Sequence, residues 1–187
     1  MNAFFWLPVG GMVSFVLAVY AILRVNRAYQ NQQRLSGYTV FLVWFLYIYH
    51  MALVLLAAWF APLRLFRPSW LSGTFGVLLL IAGIGITSLS IYQFHSLSRM
   101  SGQRTDRLIT SGIYTRSRNP QNLGWLSGLL GIAVIGGSLT ALIFSILFCL
   151  VIHYYTVRVE EPFLKQMYGE RFEKYTQATA RYWGTNT

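Results

Sequence analysis

The chain alternates long apolar stretches with short polar, basic ones. Apolar runs cover 4–23, 38–60 and 69–92, each near the ~20 residues that carry a helix across a hydrocarbon core. A fourth run, 123–157, is too long for one span and is broken by Gly136-Gly137-Ser138. Gly pairs end helices and permit sharp reversals, so this run is predicted to form a tight hairpin with arms 123–135 and 139–157. The first arm is short enough to pack inside a bundle. Beyond it, Phe163, Leu164, Met167, Tyr168, Phe172 and Tyr175 recur at three- and four-residue spacing, the apolar stripe of a helix over 161–177. Pro162 suits its first turn and Gly169 weakens its middle. The predicted fold is all-α: one integral-membrane domain, residues 1–187, a bundle of five transmembrane helices with a C-terminal cytoplasmic helix packed over its mouth.

Composition agrees. Hydrophobic residues make up 55% and charged residues 11%, where ordinary soluble domains carry about 25% charged. The net charge of +10 in a soluble protein would point to nucleic acid. Here the basic residues flank apolar spans, so nucleic acid is excluded as a partner and the charge sets topology instead. Segments 24–37, 93–121 and 158–187 hold thirteen Lys and Arg; the opposite side holds only Arg64 and Arg67. That split places the N-terminus outside and the C-terminus in the cytoplasm. All five acids, Asp106, Glu160, Glu161, Glu170 and Glu173, fall on the cytoplasmic side, where an active site should open. The first run lacks a preceding basic region and is followed by Arg24 and Arg27, so it reads as a retained helix rather than a cleaved signal.

Several features read as structural. Cys149 is the single cysteine, which rules out an intrachain disulfide, and behaves as a small apolar residue. His50, His95 and His153 have no clustered acids or cysteines and make no metal site; His50 and His153 read as core or interhelical hydrogen-bonding groups. Gly124, Gly128 and Gly131 are spaced for close helix packing and follow no strand, so they form no nucleotide loop.

Two polar elements carry the candidate chemistry. Residues 108–124 are a short Arg-rich segment between apolar runs. Pro120 restrains Asn119 and places Arg118 and Asn119 at a helix entrance, where free N–H groups and the dipole favour a carboxylate or phosphate. The competing reading of Arg116 and Arg118 is as positive-inside anchors. The second element is Glu160-Glu161 at the end of the last span. Lys165 offers Glu161 a partner at i+4, as Lys174 offers Glu170, whereas Glu160 has none and is the better functional candidate.

Together these segments resemble the integral-membrane methyltransferases related to isoprenylcysteine carboxyl methyltransferase and phospholipid methyltransferase. The residues that carry the resemblance are Leu108-Ile109, Gly112-Ile113-Tyr114, Arg118-Asn119-Pro120, Glu160-Glu161 with Leu164, Tyr168-Gly169-Glu170-Arg171-Phe172, Tyr175 and Arg181, across 104–183. It implies S-adenosylmethionine as cofactor. Asp106, Arg107, Leu108, Ile109 and Tyr114 would then line its adenosyl part, with Gly112, Asn119, Pro120, Gln121, Asn122, Glu160 and Glu161 completing the site. Arg118, Glu160, Arg158 and Arg181 would serve the reaction, with Arg158 and Arg181 orienting an anionic acceptor. The chain departs from the family pattern at Asn119, where relatives have His, at Asn122, where they have Tyr, and at Thr156, where many have Arg. The implied activity is methyl transfer to a membrane-partitioned, lipidic or prenylated acceptor. The alternatives are an NADPH-dependent membrane reductase related to sterol reductases, and a non-catalytic membrane protein on the same scaffold.

Overall fold

The computed structural model describes residues 3–185. Its helices are α1 (Ala3–Gln32), α2 (Gly37–Phe60), α3 (Trp70–Phe94), the single turn α4 (Leu97–Met100), α5 (Pro120–Gly136), α6 (Leu139–Tyr155), α7 (Glu161–Tyr168) and α8 (Glu170–Ala178). The outer faces of the long helices carry exposed large apolar side chains such as Phe15, Phe41, Ile48, Leu78 and Leu150, the surface of a protein solvated by lipid.

Four helical stretches, 5–32, 37–60, 70–94 and 139–168, are long and apolar enough to cross a membrane. Four of the five expected spans are these stretches, and the arm expected to be short, 123–135, is α5. α5 has 17 residues, about 26 Å at ~1.5 Å per residue. None of its side chains is exposed. It is the internal helix of the bundle, packed by α3, α2 and α6. Its run of apolar residues signals burial of any kind, in lipid or in protein.

α1 also runs further than its apolar stretch. Arg24 and Arg27 lie within it rather than after it, and it stops only at Gln33, whose φ of 54° is left-handed. Ser36 then caps α2, its Oγ accepting the Thr39 N–H at 3.3 Å. The Leu35 N–H bonds to the Gly102 carbonyl, tying this turn to the chain below α4.

α3 and α5 form the closest contact of the bundle. Gly76 faces Gly131, and Gly83 faces Gly124 and Gly128. A Cβ on Gly83 would lie 2.5 Å from the Gly124 carbonyl oxygen, so only glycine permits this approach. Ser127 Oγ donates to the Leu79 carbonyl across the same seam at 2.8 Å. The predicted hairpin is present: Gly137, at φ 58°, ends α5, and Ser138 caps α6 with its side chain. At this end Arg64 donates to the Ala58, Gly136 and Trp59 carbonyls, covering the C-termini of α2 and α5.

The surface helix expected over 161–177 is two pieces. α6 continues through a wide π turn, Thr156–Glu160, directly into α7. The wide turn precedes Pro162, which has no N–H and whose ring would crowd the carbonyl one turn back. Gly169, at φ 52°, breaks the rod, and α8 turns away. The apolar stripe nevertheless does what its spacing implied. Phe163 packs with Val25, Tyr29 and Leu35, and Phe172 and Tyr175 pack with Ile109 and Tyr114.

Candidate active site

A cavity of about 460 Å³ opens at the basic end of the bundle. Its rim comes from 99–109 and 114–122, its inner walls from α1, α2, α3, α5 and α6, and one side from Glu160, Glu161 and α7.

The segment before α5 is held in place from α7 and α8. Tyr168 Oη donates to the Thr105 carbonyl at 2.9 Å, and Tyr175 Oη to the Tyr114 carbonyl at 2.7 Å. Tyr114 packs edge-on against Phe94 at 5.6 Å. Burial pushes the Tyr114 and Tyr175 phenols well above their ordinary range, so both remain donors across physiological pH. Residues 179–185 close over the same segment: Arg118 N–H donates to the Ala180 carbonyl and Gly184 N–H to the Arg116 carbonyl. Asn119 Nδ2 reaches the Arg181 carbonyl at 3.2 Å.

Glu161 is the hub of this arrangement. Arg118 Nη1 donates to one carboxylate oxygen at 2.8 Å, and Arg181 grips both oxygens through Nε and Nη2 at 2.9 and 2.8 Å. The side chains are 10%, 16% and 34% exposed for Arg118, Glu161 and Arg181. The expected Glu161–Lys165 pair is replaced by this triad; Lys165 instead meets Glu173 at 2.9 Å. Helical spacing made Lys165 a local partner, but the bidentate fork of Arg181 matches a carboxylate better. Burial lowers the pKa of Arg118, whereas its hydrogen bonds to Glu161 raise that of Arg181.

Glu160 lines the cavity, and among the described residues no basic side chain pairs with it. Asn122 links the walls: it accepts from Tyr47 Oη at 3.4 Å and donates to Thr156 Oγ1 at 3.4 Å. Tyr47, on α2, is a cavity residue that the sequence did not single out, because it sits in an otherwise apolar helix. Trp125 and Tyr155 were missed for the same reason.

Of the residues singled out from sequence, Arg107, Leu108, Ile109, Tyr114, Arg118, Asn119, Gln121, Asn122, Glu160 and Glu161 line the cavity together. Asp106, Gly112, Pro120, Arg158 and Arg181 do not. Asp106 turns to Arg99, with bonds of 2.9 and 2.8 Å. Pro120 is buried in the first turn of α5. Arg158 is exposed on the π turn. Arg181 reaches the cavity through Glu161 and, by its carbonyl, through Asn119. His153 is no core residue: it is exposed, and its Nδ1 lies 2.6 Å from Tyr182 Oη. His50 does bridge helices, with Nδ1 2.8 Å from Ser14 Oγ and Nε2 3.1 Å from the Phe144 carbonyl oxygen.

Three buried donors at this site have no partner among the described residues: Arg118 Nε, Gln121 Nε2 and Trp125 Nε1. All three residues line the cavity. Unsatisfied buried donors are costly, and these three belong to residues of one cavity wall. A ligand with a carboxylate, hydroxyls and ring nitrogens would supply acceptors for such donors, and Glu160 stands on the same wall.

The model of the phospholipid methyltransferase family matches residues 71–171, just over half the chain. The match runs from α3 through the Arg-rich segment and the Glu pair into α8. No curated protein and no solved structure matches the chain.

Proposed function

The chain belongs to the phospholipid methyltransferase family, and from that membership we propose that it transfers a methyl group from S-adenosylmethionine to a lipidic acceptor. The observation that carries this reading is the cavity between the helices, whose wall combines residues with unpartnered donors, the carboxylate of Glu160 and apolar side chains.

Bound there, S-adenosylmethionine supplies a methyl group already activated by its sulfonium. The protein's task is then mainly positioning, and proximity in favourable cases supplies roughly 7–11 kcal/mol. In this reading Arg118 holds a carboxylate through Nε while Nη1 stays on Glu161. Leu108, Ile109 and Tyr114 pack the adenosyl group, and Gln121, Asn119 and Asn122 give it polar contacts. Glu160 faces the positive charge, and accepts the proton that an amine acceptor must lose. Arg181 positions Glu161 and, through it, Arg118. A carboxylate acceptor would require no base. The charge distribution favours a cavity open to the cytoplasm, with the acceptor arriving from the bilayer.

Titration of purified protein tests the cofactor. S-adenosylmethionine should bind and NADPH should not. Glu160→Ala and Tyr114→Ala should each weaken binding by about tenfold or more, the scale of one lost charge-assisted or buried contact. Unchanged affinity in both variants would remove the cofactor from this site. With radiolabelled methyl donor, label should pass into an organic-extractable product.

A further inference from the structure

Three helices contribute to one line of polar side chains that ends on Glu160. Tyr47 comes from α2, Asn122 from the first turns of α5, and Thr156 from the end of α6, where it opens the π turn that finishes at Glu160. Tyr47 Oη donates to Asn122 Oδ1, and Asn122 Nδ2 donates to Thr156 Oγ1, both at 3.4 Å. The Thr156 hydroxyl in turn hydrogen-bonds the Glu160 carboxylate. The two bonds of Asn122 are long, of the kind that tightens when a site is occupied.

The line has one direction. An ionised carboxylate only accepts, so the Thr156 hydrogen goes to Glu160 and the Thr156 oxygen is left to accept. It takes an N–H from Asn122, which turns the amide oxygen toward α2, where the Tyr47 phenol supplies a hydrogen. Reversing the amide would set two oxygens against each other at Thr156. Each donor polarises the next toward the carboxylate. Both ends of the line are fixed. Tyr47 packs edge-on against Trp125 and Phe148, at 5.1 and 5.2 Å, and Thr156 is fully buried. Asn122 keeps a second N–H and a second lone pair for a ligand.

We propose that Tyr47, Asn122 and Thr156 are positioning residues that fix the Glu160 carboxylate, and that through it they make the site prefer a sulfonium cofactor to its uncharged thioether product. The inference rests on the reading of Glu160 as the group facing the cofactor's positive charge. S-adenosylmethionine and S-adenosylhomocysteine differ by one methyl group and one positive charge. A carboxylate held in place therefore favours entry of the first and release of the second.

The test is titration of whole protein in amphipol with each of the two molecules. Wild type should bind S-adenosylmethionine more tightly. Thr156→Val keeps the shape and removes the hydroxyl. It should weaken S-adenosylmethionine about tenfold, the scale of one hydrogen bond to a charged group, and leave S-adenosylhomocysteine within about twofold. Tyr47→Phe, which acts through Asn122, should show the same selectivity with a smaller loss, and Thr156→Ser should restore the wild-type ratio. In a Glu160→Gln background, Thr156→Val should change neither affinity further. Equal affinity of wild type for the two molecules would overturn the proposal. So would equal weakening of both in Thr156→Val, or a loss that persists in Glu160→Gln, since a merely structural role gives those results. A second measurement needs no cofactor. The infrared carboxyl band that disappears in Glu160→Gln should shift in Thr156→Val and, by less, in Tyr47→Phe. A band unmoved in both would overturn the positioning whether or not either molecule binds. A shifted band in a protein that binds neither would support the positioning and count against methyl transfer.

Discussion

Glu161 carries two arginines on one carboxylate. Glu161→Gln removes the charge and leaves Arg118 and Arg181 repelling each other. Breaking a fully buried pair costs about 3–5 kcal/mol; with Arg181 a third exposed, a loss of about 2 kcal/mol is expected in reversible unfolding. Cofactor affinity should fall with it, because Arg118 loses the anchor that directs Nε. Arg158→Ala, on the exposed side of the same turn, should change neither quantity. Asp106 allows a pH prediction. The hydrogen bonds from Arg99 hold its carboxyl at about 2, below the usual carboxylate range. A depressed pKa contributes stability above the unfolded value and loses it as pH falls through the folded one. The turn closed by the Gln103 and Arg104 amides on the Ser98 carbonyl should therefore keep its protection from pH 7 to about 4 and lose it toward pH 2. Asp106→Asn should show the loosened turn throughout, read by hydrogen exchange of that peptide.

At the scale of elements, the seam between α3 and α5 supports one wall of the site, because α5 carries Gln121, Asn122 and Trp125. Gly83→Val puts a branched side chain against the Gly124 carbonyl and should force the helices apart. Overpacking of this kind costs about 1–3 kcal/mol or more, read as a lower midpoint in thermal unfolding, and should weaken cofactor binding by displacing α5. Gly128→Ala is the control. Its added methyl would meet only Leu80 Cδ1 at 3.8 Å, so stability should hold or rise with the better helix propensity. A matching loss at Gly128 would mean that the seam tolerates nothing larger than glycine anywhere along it.

For the molecule as a whole, orientation is the open quantity with the clearest test. The thirteen-to-two division of basic residues favours the cavity end in the cytoplasm. Cysteines introduced at Gln103 and Thr185 should resist an impermeant thiol reagent in intact cells, while one at Leu65 should react. The reverse pattern would place the site outside.

The sequence by itself determined the helical class, the long apolar stretches, the hairpin at Gly136-Gly137-Ser138 and the two polar elements, Arg118-Asn119-Pro120 and Glu160-Glu161. These are legible because apolar runs, glycine pairs and charges beside them act over one or two turns of chain. Only the tertiary structure decided that α5 is internal, since burial in protein and burial in lipid demand the same residues. It also gave Glu161 to Arg118 and Arg181 rather than Lys165, because a carboxylate takes the best donors in space and not the nearest in sequence. Tyr47 and Trp125 stayed hidden for a related reason. A polar atom in an apolar helix acquires meaning only from what the other helices bring beside it.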